Sequence, residues 1–294
     1  MTTLRQPMND LIDHFHMGDD NAIAETSLPG VRVFHSTVPL PREPLVYGSS
    51  IIIIGQGRKS LYLGDLSFQY DENNYLVVGL PLAFECSTEA SPENPLTGLI
   101  VDLDTSLLLE LINKVDDPVV SNTTTKLGAE PVAMSDHMQD VVGRLTACLL
   151  SPVDTSVLGA GLVRELHYRA LNDRHGSVLR MLSNQGNPSA RIARVLQKLS
   201  GNLAGKYSVD QLAKEIGMSS SAFYRAFRST TGETPVQYLK KLRLNHARSL
   251  ILYEGKRANE AATLVGYESL SQFSRDFKVH FGTTTAKARE SIAR

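Results

Sequence analysis

Two cysteines in 294 residues, Cys86 and Cys148, are too few for a disulfide framework or a four-thiolate zinc site. That scarcity fits a reducing compartment and points to the cytoplasm. Long apolar runs are missing as well. The longest purely aliphatic stretch, Ile51 to Ile54, falls far short of the roughly 20 residues a membrane-crossing helix needs. The first twenty residues are acidic and amphipathic rather than basic and then apolar, so neither an export signal nor a membrane partner is expected. Metal ligands lack the clustering that a metal-dependent barrel enzyme would need. His14 and His16 make a His-x-His pair in a leading helical segment with no third ligand, and His35 stands alone among strand-like residues. Gly55-Gln56-Gly57 reads as a hairpin, because neither Gly-Lys-Ser nor Gly-x-Gly-x-x-Gly follows to cradle a phosphate. No cofactor, metal or catalytic residue is assigned, and the chain is read as a non-enzyme.

What is present is unevenly distributed. Residues 1–185 carry 12 Lys and Arg against 23 Asp and Glu, and residues 186–294 carry 18 against 8, so a net charge of −1 hides halves of −11 and +10. A phosphate backbone attracts the second part and repels the first. The length allows two domains, each with its own core.

Between about residues 25 and 104 the signals are short strands at Val31 and Val33, Ile51–Ile54, Leu61 and Leu63, Phe68 and Tyr70, Tyr75–Val78 and Leu99–Val101. Gly, Pro and Asn punctuate them, which predicts a small β-barrel or sandwich of ligand-binding size. From about 105 to 185 the period becomes helical. Met134, Met138, Val141, Val142, Leu145 and Leu149 share one face, and Leu158, Leu162, Leu166 and Ala170 another. These helices also offer a surface for a homodimer. The whole of 1–185 is thus expected to sense an effector, with a polar, helix-breaking linker at 186–190.

Beyond the linker a pattern occurs twice. Ser208 with Gln211 has capping-box spacing and opens a helix with Leu212, Ala213 and Ile216 on its apolar side. Gly217 permits a left-handed turn and Ser219 caps a second helix. In that helix Phe223, Ala226 and Phe227 form the inner side, leaving Ser221, Arg225 and Arg228 outward. About fifty residues later Ala261, Ala262, Val265 and Gly266 repeat the first helix and turn, Phe273 and Phe277 repeat the aromatic pair, and Ser271, Arg275 and Lys278 repeat the outward stripe. The offset is 49 before the turn (Ala213 to Ala262) and 50 after it (Arg225 to Arg275), so the second turn holds one more residue. Gly232 and Gly282 close the two copies. Thr234-Pro235 starts a connecting helix with Val236, Leu239, Leu242 and Leu250 on its apolar face and Lys240, Lys241, Arg243 and Arg248 opposite. The expected fold class is therefore α+β: an N-terminal barrel with helices, then an all-α domain at 191–294. That domain holds helix-turn-helix units at 208–230 and 257–281 joined by a connecting helix at 235–252. An arginine on such a second helix can donate two parallel hydrogen bonds to guanine, so double-stranded DNA is the expected partner.

The second unit strongly resembles the AraC/XylS family of bacterial transcription regulators in Gly266-Tyr267-Glu268-Ser269, in Ser271-Gln272-Phe273-Ser274-Arg275-Asp276-Phe277-Lys278 and in Phe281-Gly282. The likeness runs from about Arg191 to Phe281, and Ser219–Tyr238 looks like the family's first recognition helix and the start of the connecting helix. After Gly282 the sequence departs from it, because Thr283-Thr284-Thr285 lacks the usual proline. The resemblance implies base reading by Ser221, Arg225, Ser271, Gln272 and Arg275, and phosphate contacts by Tyr224, Arg228, Lys240 and Lys278. Gln272 also completes a capping box with Ser269, which competes with base contact. The N-terminal part is similar to the family's short, cupin-like type. The stretch Tyr75–Asp102, with Pro81-Leu82-Ala83-Phe84-Glu85-Cys86, resembles regulators of aldehyde reductase genes. This implies a small-molecule or electrophile effector, with Cys86 either a sensor thiol or a buried structural one, and RNA polymerase as a further partner if the protein activates.

Two other readings stand beside this one. A cupin-like enzyme or carrier with an accessory DNA-binding tail would make the acidic barrel the active part. A DNA-repair methyltransferase would need a reactive cysteine and a thiolate zinc site, which two cysteines cannot both supply.

Overall fold

In the computed structural model, the described residues are 4–18, 22–63, 66–114, 129–173, 179–180, 188–252 and 254–290. The chain divides into two compact units: Met1–Arg42, Gly48–Leu80 and Cys86–Gln185 in the first, and Glu43–Tyr47, Pro81–Glu85 and Gly186–Arg294 in the second.

The N-terminal part is rich in sheet. Strands β1 (Ala22–Glu25), β2 (Val31–Ser36), β9 (Leu96–Asp102), β4 (Ser50–Gln56), β7 (Asn74–Val78) and β10 (Ala129–Ala133) form a six-stranded sheet in the order β1-β2-β9-β4-β7-β10. Strands β3 (Leu40–Tyr47), β8 (Leu82–Glu89), β5 (Arg58–Leu63) and β6 (Leu66–Tyr70) form a four-stranded one in the order β3-β8-β5-β6. The aliphatic run Ile51–Ile54 lies in β4, paired antiparallel with β9 on one side and β7 on the other. All of β4 is buried, as a central strand of β-branched residues should be. Alternation sends Ile51 and Ile53 to one face, where they join Val31, Val33, Leu99 and Val101 in a core shared with helices. Those helices are α1 (Arg5–His14), α2 (Thr105–Lys114), α3 (Asp136–Leu149) and α4 (Pro152–Asn172). They contribute Met8 and Leu11, Leu108 and Leu111, Met138, Val141, Val142 and Leu145, and Leu162 and Leu166.

His167 of α4, fully buried, ties two of these helices together. Its Nε2 accepts from the backbone N–H of Asp104 at 3.2 Å, and its Nδ1 lies 2.8 Å from the Val163 carbonyl. One nitrogen thus accepts and the other donates, which requires the neutral ring. Asp104 in turn accepts from Ser106 N and Leu107 N at 2.8 and 3.0 Å, capping α2.

Several details depart from the sequence reading. A strand, β10, interrupts the helical stretch expected at 105–185; its Pro131 is tolerated because β10 is an edge strand. The reading had no strand at β1, β3 or β8. Of these β3, with Pro41 and Pro44, also lies at a sheet edge. Leu158 is 53% exposed, and the buried stripe of α4 runs instead through Thr155, Gly159, Leu162, Leu166 and Ala170. Residues 186 and 187 of the expected linker lie outside the described residues. Residues 188–190 already belong to α5 (Pro188–Gly201), since proline at the first helical position loses no internal hydrogen bond.

The rest of the second part is helical: α6 (Val209–Glu215), α7 (Ser220–Thr231), α8 (Pro235–Leu252), α9 (Ala258–Leu264), α10 (Leu270–Phe281) and α11 (Thr285–Glu290). Helices α6–α7 and α9–α10 are the two helix-turn-helix units, and α8 connects them. Four residues, 216–219, separate α6 from α7, and five, 265–269, separate α9 from α10, so the offset of the repeat lies in the turn. The connecting helix supplies Leu244, Ala247, Leu250 and Ile251 to the core of the second unit, against Ala261, Ala262, Val265, Phe273 and Phe277. Val236, expected on that apolar face, is 69% exposed, and Tyr238 is fully buried instead. Without the proline, α11 still starts: Thr284 Oγ1 accepts from Lys287 N at 3.4 Å as its cap.

Candidate nucleic-acid interface

Each second helix is held by the same local chemistry. Ser219 caps α7 by accepting from Ala222 N, and Ser269 caps α10 by accepting from Gln272 N, both at 3.3 Å. Gly232 and Gly282 end them with φ of 77° and 70°, a left-handed conformation that costs glycine little. The turn glycines Gly217 and Gly266 have φ of 66° and 85°. The inner faces match in geometry as well as in sequence. Phe223–Phe227 and Phe273–Phe277 each place their rings 5.6 Å apart at 55°, and all four side chains are fully buried. Burying each ring contributes on the order of 2–3 kcal/mol, so the inward face of both helices is fixed and their outward faces follow.

On those outward faces Ser221, Tyr224, Arg225 and Arg228 of α7 are all exposed, as are Ser271, Gln272, Arg275 and Lys278 of α10. Six of these, Ser221, Arg225, Arg228, Ser271, Arg275 and Lys278, are the outward stripes expected from the sequence. Ser269 takes its half of the capping box, while the Gln272 residue stays exposed. Among the described residues, Arg225, Arg228, Arg275 and Lys278 carry no ion pair, so their charge is available to an anion.

The basic face expected on α8 is arranged differently. Lys240 Nζ lies 2.6 Å from Asp276 Oδ1, whose other oxygen accepts from the Tyr267 hydroxyl at 3.3 Å. Lys241 pairs with Glu233. Arg243 donates to the carbonyls of Leu203 and Gly205 at 2.8 and 2.9 Å, and Arg248 stacks over the Phe281 ring at 5.1 Å. These four cations brace the domain from within. A reading by period places them on a polar face, but which acids or carbonyls meet that face depends on residues as far off in sequence as Glu43, which pairs with Arg248 at 2.6 Å.

Close to this brace, His280 is held neutral. Asn245 Nδ2 lies 3.2 Å from its Nε2, and burial together with Lys241 and Lys240 lowers its pKa to about 4.

In the N-terminal part, Cys86 is 4% exposed on β8 and Cys148 is likewise buried; neither is disulfide-bonded. Three polar side chains meet in a row across the six-stranded sheet, where Thr97 of β9 pairs with His35 of β2 and with Gln56 of β4. All three are buried, and among the described residues Thr97 Oγ1 and Gln56 Oε1 have no hydrogen-bond partner. The described residues include no group of three or more His, Cys, Asp or Glu placed to hold a metal ion, and no helix long and apolar enough to cross a membrane.

The comparisons with known proteins point the same way. Residues 212–291 match a helix-turn-helix domain family, and residues 27–178 match the AraC-type transcriptional regulator N-terminus family. The lactose operon transcription activator of Staphylococcus xylosus is 22% identical over 238 residues, 78% of this chain and 82% of that protein. The RCS-specific HTH-type transcriptional activator RclR of Escherichia coli is 33% identical over 102 residues, 35% of this chain and 36% of its own length. The chain thus matches only about a third of the latter. In fold, a variant of ToxT from Vibrio cholerae in its apo form matches with a TM-score of 0.57 at 10% identity, covering 91% of this chain and 100% of its own. ToxT with a bound unsaturated fatty acid matches at 0.54 and 10%, covering 91% and 95%. Because the N-terminal match alone covers more than half of the chain, the protein belongs to the AraC-type transcriptional regulators, whose helix-turn-helix domain binds DNA.

Proposed function

We propose that the protein reads a DNA site of two adjacent major-groove segments and that a small molecule bound in the N-terminal part controls this. One observation carries the proposal. Two second helices with the same ring packing present unpaired arginines at matching outward positions, Arg225 and Arg275. Ser221, Arg225, Ser271, Gln272 and Arg275 contact base edges, while Tyr224, Arg228 and Lys278 contact phosphates. Lys240 acts through its pair with Asp276 as a brace.

Control by an effector is supported by the fold shared with fatty-acid-bound ToxT and by the buried row His35, Thr97 and Gln56, whose unmatched oxygens a polar ligand could satisfy. The burial of Cys86 favours its structural role. Exposed Val153, Val157 and Tyr168 on α4 support a homodimer. Relatives named as activators support RNA polymerase as a partner. Residues 1–185 form the sensing domain and 191–294 the DNA-binding domain, with the protein acting at the nucleoid in the cytoplasm.

The test is titration of the purified chain against its own upstream DNA. Arg225→Ala and Arg275→Ala should each weaken the preferred site by about 5- to 150-fold and leave random DNA almost unaffected. Equal losses on both would refute base reading.

A further inference from the structure

The loop at 202–207, which enters the first helix-turn-helix unit, is built onto the second. Arg243 reaches it from the connecting helix, with Nε 2.8 Å from the Leu203 carbonyl and Nη2 2.9 Å from that of Gly205. The loop is closed on itself by Gly205 N donating to Asn202 O at 3.2 Å, and by the Tyr207 hydroxyl donating to the same carbonyl at 2.6 Å. Its tip lies on the turn of the second unit: a Cβ at Gly266 would stand 2.7 Å from Ala204 Cα and 3.0 Å from its carbonyl oxygen. At the rim, Lys206 Nζ pairs with Glu268 at 2.7 Å.

The repeat supplies an internal control. Gly217 occupies the same turn position in the first unit with a similar φ, yet a Cβ there would meet nothing closer than Arg191 at 4.0 Å. A helix-turn-helix turn therefore needs the left-handed conformation but not a bare backbone surface. The closeness at Gly266 serves the contact between units. A guanidinium whose two donors end on two carbonyls of one loop holds that loop in position and orientation, which a single contact would not.

We propose that the 202–206 loop is a strut between the units, and that Arg243 and Gly266 are positioning residues that set which half-site spacing the protein accepts. The connecting helix packs on the first unit through Tyr238, against Phe227, and on the second through Leu244 to Ile251, and without a further tie a twist along it would let α7 and α10 drift out of register. With the strut in place the pair is held as one body. One inserted base pair moves a half-site by about 3.4 Å and turns it by about 35°, so a rigid pair discriminates spacing and a loose pair does not. This rests on base reading by α7 and α10.

The experiment uses the full chain and duplexes carrying the footprinted site with one base pair inserted or deleted between its halves, plus duplexes with each half alone. Wild type should lose about 30-fold or more on the altered spacings. Arg243→Met, which keeps the apolar stem and removes the donors, should shrink that ratio about fivefold or more while single-half affinity stays within about twofold. Gly266→Ala should act in the same direction, and Arg243→Lys should recover part of the discrimination. Unchanged single-half binding also shows that the variants fold. If Arg243→Met and Gly266→Ala keep the full spacing penalty, or lose single-half affinity with the penalty intact, the strut is refuted. If wild type shows neither half-site preference nor spacing dependence, base reading itself fails and the strut with it.

Discussion

Acidification should destabilise the DNA-binding part through one histidine. In the folded chain His280 titrates near 4, because burial and the charges of Lys241 and Lys240 oppose protonation, whereas an unfolded histidine titrates near 6.5. A group with a depressed folded pKa that is cationic when protonated binds fewer protons folded than unfolded. Stability is therefore highest above pH 6.5 and is lost progressively as pH falls from 6.5 towards 4. Each unit is worth about 1.4 kcal/mol, so pH 5 should cost about 2 kcal/mol, an upper figure because the ring is only partly buried. For a helical part of this size that lowers the melting temperature by roughly 10 °C. Protonation also removes the acceptor that faces Asn245 Nδ2 at 3.2 Å. Scanning calorimetry of the full chain should resolve this transition, which added operator DNA identifies by raising it. His280→Gln keeps a neutral acceptor for Asn245 and should flatten the acid limb between pH 6.5 and 5. An NMR titration placing His280 near 6.5, or a His280→Gln variant with the wild-type acid limb, would refute the reasoning.

Further outcomes follow from the same geometry. His167→Leu leaves the Asp104 N–H without its acceptor; it should cost the N-terminal transition about 1–3 kcal/mol at pH 7 by calorimetry, while removing the acid sensitivity that burial of His167 creates. In Gly98→Ala the new Cβ would lie 2.1 Å from the Ile53 carbonyl oxygen and 2.4 Å from Phe34 Cζ. Its urea midpoint should drop by the equivalent of about 3 kcal/mol or more, with the DNA-stabilised transition unmoved. Ser219→Ala and Ser269→Ala each remove a cap to the backbone, and each should lower the melting temperature of the DNA-binding part by a few degrees, the equivalent of about 1 kcal/mol. Lys278→Ala should reduce the salt dependence of DNA binding by about 0.9 in log–log slope. Lys240→Ala should leave that slope unchanged, because its charge already faces Asp276.

The parts of the fold that sequence revealed are those whose signal is local. Phe223 and Phe227 sit four apart, Ser219 precedes them by four, and Gly232 follows; period and capping chemistry together leave one arrangement open. The burial of β4 was legible for the same reason, from four β-branched residues in a row. What escaped was non-local. Strand β10 exists because β7 offers it an edge fifty residues back in the chain, and Ala129-Glu130-Pro131-Val132-Ala133 has no alternation to announce it. Strand β3 escaped because Pro41 and Pro44 read as turn signals, which an edge position overrides. On α8 the expected apolar face holds at Leu242 and Leu250, both buried, and differs in the first turn, where Val236 is exposed and Tyr238 buried. A tyrosine in a period count is ambiguous until its neighbours are known.

The basic residues of the second part show the same division more sharply, and with a functional consequence. Composition assigns them one role, attraction of an anion, and a reading of helical faces makes no distinction among them. In space they separate by what lies opposite. On the outward faces of α7 and α10, Arg225, Arg228, Arg275 and Lys278 form no ion pair among the described residues and keep their charge for a ligand. On α8 the same residue types meet Asp276, Glu233 and two loop carbonyls, and become braces. The two groups depend on each other. An arginine can discriminate one base from another only if its helix arrives at a defined angle, and the cations paired within the domain help to hold that angle. Substitution of a brace should thus change which sites are accepted more than how strongly the polyanion is attracted.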